Sequence, residues 1–120
     1  MEKPYHNFKT GNSTLDRSLD DYLMHGYQPG GFLIAVLSND LFRAARCADH
    51  WNRDRIAHIA EEIQTVMPWN SYGDRQWVDE WIADKDGRRS AYAKQVEQQR
   101  VLDILSGRIK IEDSVENIPF

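Results

Sequence analysis

The sequence has 120 residues, a formal net charge of −4 at pH 7, 41% hydrophobic residues and 11% aromatic residues. This length predicts one domain, and the aromatic content excludes the composition of a disordered chain. The acidic balance argues against a dedicated nucleic-acid binder, and a lone cysteine, Cys47, excludes an internal disulfide and fits a reducing compartment.

The N-terminal stretch MEKPYHNFKTGNST lacks the apolar run of a signal peptide. The longest apolar run, Phe32 to Leu37, is too short to cross a bilayer. We therefore expect a cytoplasmic protein. Residues 1–12 are polar and contain Pro4 and Gly11, so we expect a flexible N-terminal segment.

The first predicted helix begins at Ser13, an N-cap residue type that is followed three residues later by Asp16. The helix ends at Gly26, because glycine readily adopts the left-handed conformation that terminates helices. Apolar side chains at helical spacing define its buried face: Leu15, Leu19, Tyr22 and Leu23.

After a QPGG turn, the most apolar part of the chain predicts a central helix over residues 31–49. Its core stripe is Leu33, Leu37, Leu41, Ala44 and Ala48. A third helix begins near Asn52 as its cap and stops at Pro68. A single helix through both is compatible with the sequence, but helices of that length are uncommon, so we place a break at DHWN, residues 49–52.

The loop PWNSYGD leads to a short helix that Asp74 caps and that carries Trp77 and Trp81. A last helix over residues 90–106 has a thinner apolar stripe, which is typical of a helix at the edge of a bundle. Residues 107–120 form a C-terminal tail that either adds a short strand or is disordered.

These elements predict an all-α fold, a compact bundle of four to five short helices. The helical domain covers residues 13–106, between the flexible segment 1–12 and the tail 107–120. Charge is uneven, because residues 85–110 carry a net charge of +4 and the rest of the chain carries −8. Such asymmetry either steers partners or reflects solvated helix faces.

Gly30 and Gly31 stand where the central helix begins. Helix N-termini present unbonded N–H groups and a partial positive charge, and glycine lets an anion approach the backbone. The Lys-Ser/Thr pair of a P-loop does not follow the glycines. A turn that permits close helix packing explains the same residues, so both interpretations stay open.

No motif predicts metal binding or catalysis. If residues 31–67 formed one continuous helix, four candidate metal ligands would share one stripe of it: Cys47, His50, Asp54 and His58. No second cluster of such residues completes a metal site. We interpret Cys47 as a small buried hydrophobe. No nucleophile motif is recognisable, so we expect no catalytic residue, no metal and no cofactor. Asn39 and Asp40 interrupt the apolar helix, and we expect them to hydrogen-bond within the fold.

Two motifs carry a family resemblance. The run GYQPGGFLIAVLSNDLFRAARCADHWN, followed by MPWNSYGD, resembles an uncharacterised family of small phage and prophage proteins with the pattern PxGGFLxAVLxNDL. The resemblance covers about residues 15–82 and does not extend from Lys85 onward. Ser71-Tyr72-Gly73 departs from the family's Trp-Gly-Ser order. The resemblance implies a mobile-element origin and no reaction.

These observations favour a small non-enzymatic phage-type accessory protein that binds and modulates a host protein. We expect that it inhibits this protein and that the protein belongs to a bacterial defence system. A homo-oligomer is compatible with the sequence, and no membrane partner is expected. The expected contact residues combine an aromatic segment with the basic last helix, and the Tyr, Trp and Arg types among them dominate interface hot spots. These residues are Trp69, Tyr72, Arg75, Arg88, Arg89, Lys94 and Arg100. The aromatics also suit a loop that is pinned to a small core.

Two alternatives stay open. A sponge for a nucleotide or another phosphate ligand would bind at the start of the central helix. Its residues would be Tyr27, Gly30, Gly31, Arg43 and Arg46. A DNA-binding regulator would use the basic last helix, with binding that depends steeply on salt.

Overall fold

The computed structural model describes residues 5–107, which fold into seven α-helices without a β-strand. The helices are α1 (Ser13–His25), α2 (Gly31–Leu37), α3 (Leu41–Cys47), α4 (His50–Arg53), α5 (Ile56–Val66), α6 (Arg75–Ile82) and α7 (Arg88–Leu105). Two 3-10 turns, Trp69–Ser71 and Lys85–Gly87, flank α6. The all-α prediction is confirmed, but the helices outnumber the four to five that we expected.

The predicted central helix is two helices, because the chain turns at Asn39. The Asn39 backbone has a φ of 60°, a left-handed conformation that asparagine tolerates better than most residues. Asp40 then caps α3, since its side chain accepts a hydrogen bond from the Arg43 backbone N–H at 3.2 Å. Asp40 therefore forms a local side-chain hydrogen bond, as we expected, whereas Asn39 contributes the turn in its backbone. The prediction of one helix over residues 31–49 is wrong.

This turn changes which side chains of α3 reach the core. The stripe of a continuous helix predicts that Leu41 is buried, but Leu41 is 63% exposed. Cys47 is also exposed, so its interpretation as a buried hydrophobe is wrong. Ala44 is the one buried residue of α3. The reason is that a turn before a helix restarts the helical phase, so the spacing measured across the turn no longer identifies one face.

Capping residues set both ends of α1. Asn12, rather than Ser13, caps α1, because its Oδ1 atom accepts hydrogen bonds from the Thr14 and Leu15 backbone N–H groups at 2.9 and 3.4 Å. Gly26 ends α1 as predicted, with a φ of 70°.

The predicted third helix is also two helices, α4 and α5, and the expected break before it is present. Asp49 caps α4 by accepting a hydrogen bond from the Asn52 backbone N–H at 2.7 Å. Asn52 is therefore inside α4, and the prediction that it caps the helix is wrong. Pro68 follows the end of α5, as expected for a residue that cannot continue a helix.

The core lies among α1, α2, α5 and α6, and its largest fully buried side chains are Trp81 and Tyr22. The Trp81 indole N–H donates to the Leu23 backbone O at 3.2 Å, so the ring fills the core with its polar atom paired. Burial raises the pKa of the Tyr22 hydroxyl, and the charge of Asp79 acts in the same direction. α7 has no buried side chain and packs along α1 and α6.

Residues 5–12, the described part of the predicted flexible segment, are non-helical and cross the helices; we name them the N-terminal strap. Phe8 of the strap is 4% exposed and belongs to the core cluster. The Asp20 carboxylate on α1 accepts hydrogen bonds from the Tyr5 and His6 backbone N–H groups at 3.0 and 2.9 Å. It also accepts one from the His6 Nδ1 atom at 2.8 Å.

His6 extends this network to α7. A neutral histidine that donates from Nδ1 accepts at Nε2, and the Tyr92 hydroxyl lies 3.0 Å from His6 Nε2. Burial raises the pKa of Tyr92, and the charge of Asp20 contributes to the same shift. Asp20 is only 5% exposed, so its carboxylate depends on these protein donors in place of water. The network joins the strap, α1 and α7.

Two sequence expectations concern membrane spans and the C-terminal tail. No helix between residues 5 and 107 has both the length and the apolar character of a membrane span. The predicted strand or disorder of the tail falls on residues 108–120, which lie outside the described residues.

Asp20→Ala is expected to lower the free energy of unfolding by about 3 kcal/mol, because it leaves three partly buried donors of the strap without their acceptor, and a fully buried donor would cost roughly 1–3 kcal/mol. Urea unfolding followed by circular dichroism measures the loss. Asp21→Ala is the matched control on the same helix, with an expected change within about 0.5 kcal/mol. Equal losses in the two variants would contradict the assignment of Asp20 as the anchor.

Candidate functional site

The loop between α5 and α6, residues 68–74, carries the predicted aromatic site, and we name it the aromatic loop. Ser71 is fully buried and closes the loop on itself, since its N–H and Oγ–H both donate to the Pro68 backbone O at 3.0 and 2.7 Å. The Tyr22 hydroxyl on α1 donates to the Ser71 backbone O at 2.5 Å. These bonds fix the backbone on both sides of Trp69.

Further bonds fix the second half of the aromatic loop. The Gly73 N–H donates to the Leu37 backbone O at 2.8 Å, which joins the loop to α2. Gly73 has a φ of 123°, a conformation that residues with a side chain rarely adopt. Asp74 caps α6 as predicted, by accepting a hydrogen bond from the Trp77 backbone N–H at 2.8 Å. The aromatic loop is therefore bonded to α1, α2 and α6.

Trp69 projects from this fixed loop into solvent and is 73% exposed. Its ring meets the Trp77 ring edge-on, with 5.3 Å between the ring centroids and 74° between the ring planes. The Arg88 guanidinium lies over the Trp77 ring, 5.2 Å from its centroid. Trp69, Trp77 and Arg88 thus form a contiguous surface, which we name the aromatic row.

Trp77 is a member of this surface that the sequence reasoning missed. Helical spacing groups it with Val78 and Trp81 on one side of α6. In the structure Val78 and Trp81 are buried in the core, and Trp77 lies half-buried at the margin of that face. The sequence signal available was that Trp77 directly precedes the buried Val78. This position marks the edge of a helix face, but it does not reveal which segment packs against that edge.

The other predicted residues of the segment have different surroundings. Tyr72 is half-buried, packs against the core and lines a cavity of about 260 Å³ with residues of α2 and α5. Arg75, in the first turn of α6, donates from Nε to the Asp79 Oδ1 atom at 2.8 Å. Both members of this ion pair are more than half exposed, so the pair contributes little stability and exchanges easily for another carboxylate.

Glu80 on α6 organises the basic side chains beside the aromatic row. Its carboxylate accepts hydrogen bonds from Lys85 at 3.0 Å, from Gln76 at 3.1 Å and from Arg88 at 2.8 Å. These donors, in that order of effect, lower the pKa of Glu80 from 4.5 to about 2. The bond to Arg88 also holds the guanidinium over the indole of Trp77.

The four basic residues predicted on the last helix do not share one surface. Arg88 contacts the aromatic row, whereas Arg89 donates to the last backbone carbonyls of α6 at 3.1 and 3.5 Å. The Arg100 guanidinium lies over the Tyr5 ring of the strap, 4.4 Å from its centroid. Lys94 is exposed. The arrangement distributes these charges along α7, which does not favour the DNA-binding alternative.

The glycine pair of the phosphate alternative lies at the surface. A Cβ atom added at Gly30 or Gly31 would meet no atom within 4 Å, so the explanation of the pair by close helix packing is wrong. The φ of Gly30 is −66°, which any residue adopts. Tyr27 is 63% exposed, and Arg43 and Arg46 are exposed on α3. Neither space nor backbone conformation therefore requires glycine at Gly30.

Neither a cluster of metal ligands nor a similarity to known proteins identifies a function for the aromatic row. Between residues 5 and 107, no three His, Cys, Asp or Glu side chains are grouped so that they hold a metal ion. No family model matches the chain, and no curated protein or solved structure matches it. The resemblance to phage and prophage proteins stays a prediction.

The stability that Glu80 contributes is expected to depend on pH. Because folding lowers the pKa of Glu80 from 4.5 to about 2, its contribution is full above pH 4.5 and is lost as the pH falls toward 2. Urea unfolding of wild type and Glu80→Gln should therefore show a difference in stability that shrinks over this range. Glu61→Gln, at an exposed position of α5, is the control. A difference that does not change with pH would contradict the role of these hydrogen bonds.

Proposed function

We propose that this chain is a non-enzymatic accessory protein that binds another protein through the aromatic row. The observation that supports this proposal is the exposure of Trp69 on a loop whose backbone is bonded to α1 and α2. A tryptophan that a fixed loop holds in water leaves a large apolar surface ready for burial. Trp and Arg are also prominent among the residue types that dominate binding hot spots.

The fixed backbone of the aromatic loop favours tight binding. A loop that becomes ordered only on binding costs free energy, and a loop that is already ordered avoids most of that cost. The bonds from Tyr22 to Ser71 and from Gly73 to Leu37 order this loop before a partner arrives. More of the free energy from burial of the Trp69 ring is then available for association.

Charges on α6 and α7 indicate the chemistry of the partner. Arg75 holds Asp79 in an exposed ion pair, so a carboxylate of the partner replaces Asp79 at little cost. Arg88 is held by Glu80 and stays with the Trp77 ring. The complementary surface therefore combines an apolar pocket for the Trp69 indole with an acidic residue that pairs with Arg75.

The proposed biological role comes from the sequence. The PxGGFLxAVLxNDL resemblance favours a mobile element as the source of the chain, and its small size suits a phage accessory protein. We propose a bacterial host protein as the partner, with a protein of a defence system as the leading candidate, and inhibition as the outcome of binding.

Trp69→Ala is expected to raise the Kd for the partner at least about 30-fold, which corresponds to about 2 kcal/mol. Stability should change little, because most of the side chain is exposed. The partner is first isolated by affinity purification of the full chain from a bacterial host. Its Kd is then measured by calorimetry with purified wild type and variant.

Phe42→Ala is the matched control, because Phe42 is an aromatic residue that is 84% exposed on α3 rather than on the aromatic loop. An unchanged Kd is expected for this control. Equal affinity of wild type and Trp69→Ala would reject the aromatic row as the contact surface. The absence of any partner across several bacterial hosts would count against the protein-binding function itself.

A further inference from the structure

The N-terminal strap is bonded to the helices by their side chains, as a bound peptide would be. Two side chains of α5 bond to Lys9 of the strap. The Lys9 backbone N–H donates to the Glu62 carboxylate at 2.7 Å, and the Lys9 backbone O accepts a hydrogen bond from His58 Nε2 at 2.6 Å. On α1, the Asp16 carboxylate accepts a hydrogen bond from the Thr10 backbone N–H at 3.0 Å. These bonds hold the backbone of the strap, and the side chains of His6 and Thr10 add bonds to Asp20 and Asp16.

The other end of the strap is held in the same way. The Asp20 carboxylate accepts hydrogen bonds from the backbone N–H groups of Tyr5 and His6. Helix side chains on α1 and α5 therefore bond to the strap backbone at both of its ends. Bonds to backbone atoms give affinity to an extended peptide without specifying its sequence, and pockets for side chains add the specificity.

Phe8 supplies the side chain for such a pocket. It lies between the two sets of backbone bonds and is 4% exposed within the core cluster. A single aromatic side chain buried between backbone bonds is an anchor that recognition of short peptides commonly uses. The groove under the strap thus has one apolar pocket and polar groups on both sides of it.

The strap is joined to the helical body in a way that permits its release. Gly11, the second-last residue of the strap, has a φ of 92°, a conformation that glycine adopts freely. The strap is not part of a helix, and its last residue, Asn12, stays in place as the cap of α1 when residues 5–10 detach. Detachment therefore breaks the bonds to the strap and leaves the helical ladders intact.

The charges of the groove define the peptide that fits it. Three carboxylates bond to the strap, those of Asp16, Asp20 and Glu62. The strap itself carries His6 and Lys9 on either side of its phenylalanine. An acidic groove with a central aromatic pocket therefore favours a peptide with an aromatic residue between basic residues.

We propose that the N-terminal strap is a detachable self-peptide and that the groove beneath it is a second binding site. Its ligand is an extended peptide of a partner, with an aromatic residue between basic residues. The strap occupies the groove in the free protein and competes with that ligand. This site is separate from the aromatic row and does not depend on its proposed function.

The test uses the full chain with Phe8→Ser, which weakens the strap and leaves every residue of the groove unchanged. A fluorescent synthetic peptide of residues 5–12 is titrated with this variant and with wild type, and anisotropy measures binding. The peptide should bind the variant at least about tenfold more tightly, because the wild-type strap competes at an effective concentration on the order of millimolar. The same peptide carrying Phe8→Ser is the control and should not bind.

Two results would overturn the proposal: no binding of the peptide to a folded Phe8→Ser variant, or equal binding of the control peptide. If circular dichroism shows that the variant is unfolded, hydrogen exchange of wild type decides instead. The backbone amides of Lys9 and Thr10 should then exchange at least about tenfold faster than those of Leu23 in the core, through a local opening. Exchange of all three only at the rate of global unfolding would refute a detachable strap.

Discussion

Polar groups buried on α1 need hydrogen-bond partners, and they find those partners in different parts of the chain. The Asp20 carboxylate bonds to the strap, the Tyr22 hydroxyl bonds to the aromatic loop, and the Leu23 backbone O accepts the indole N–H of Trp81 on α6. Each bond, if unmade, leaves a polar atom without water or a partner. One turn of α1 therefore determines where three other segments lie.

The two proposed binding surfaces use this helix in opposite ways. The aromatic loop has its backbone bonded to α1 and α2, while its largest side chain, Trp69, stays in water. The strap has its largest side chain, Phe8, in the core, while helix side chains bond its backbone. In the proposed complexes, the ordered aromatic loop inserts Trp69 into a pocket of the partner. The groove under the strap is filled by Phe8 in the free protein.

Local signals predicted the parts of the fold that depend on neighbouring residues. Gly26 ends α1 and Asp74 caps α6 because a left-handed glycine and a side-chain cap act within one turn of the chain. The turn at Asn39 escaped prediction, because no Gly or Pro marks it and the apolar run continues on both sides. The exposure of Leu41 then followed from the wrong helical phase.

The candidate site divides in the same way. Residue types alone predicted Trp69 and Arg75 as contact residues, and both lie at the surface. The sequence did not distinguish Trp69 from Tyr72, although one is exposed and the other packs on the core. Trp77 joined the surface only because the aromatic loop lies against the edge of α6.

By itself the sequence determined the helical class, several helix ends and the aromatic character of one loop, because these depend on spacing and on residues close in the chain. Tertiary structure decided which apolar side chains stay in water and which segment each buried polar group bonds. The reason is that burial belongs to pairs of segments that meet in space. The bonds from Asp20 to the strap and from Tyr22 to the aromatic loop join residues 14 to 49 positions apart, beyond the reach of any local pattern.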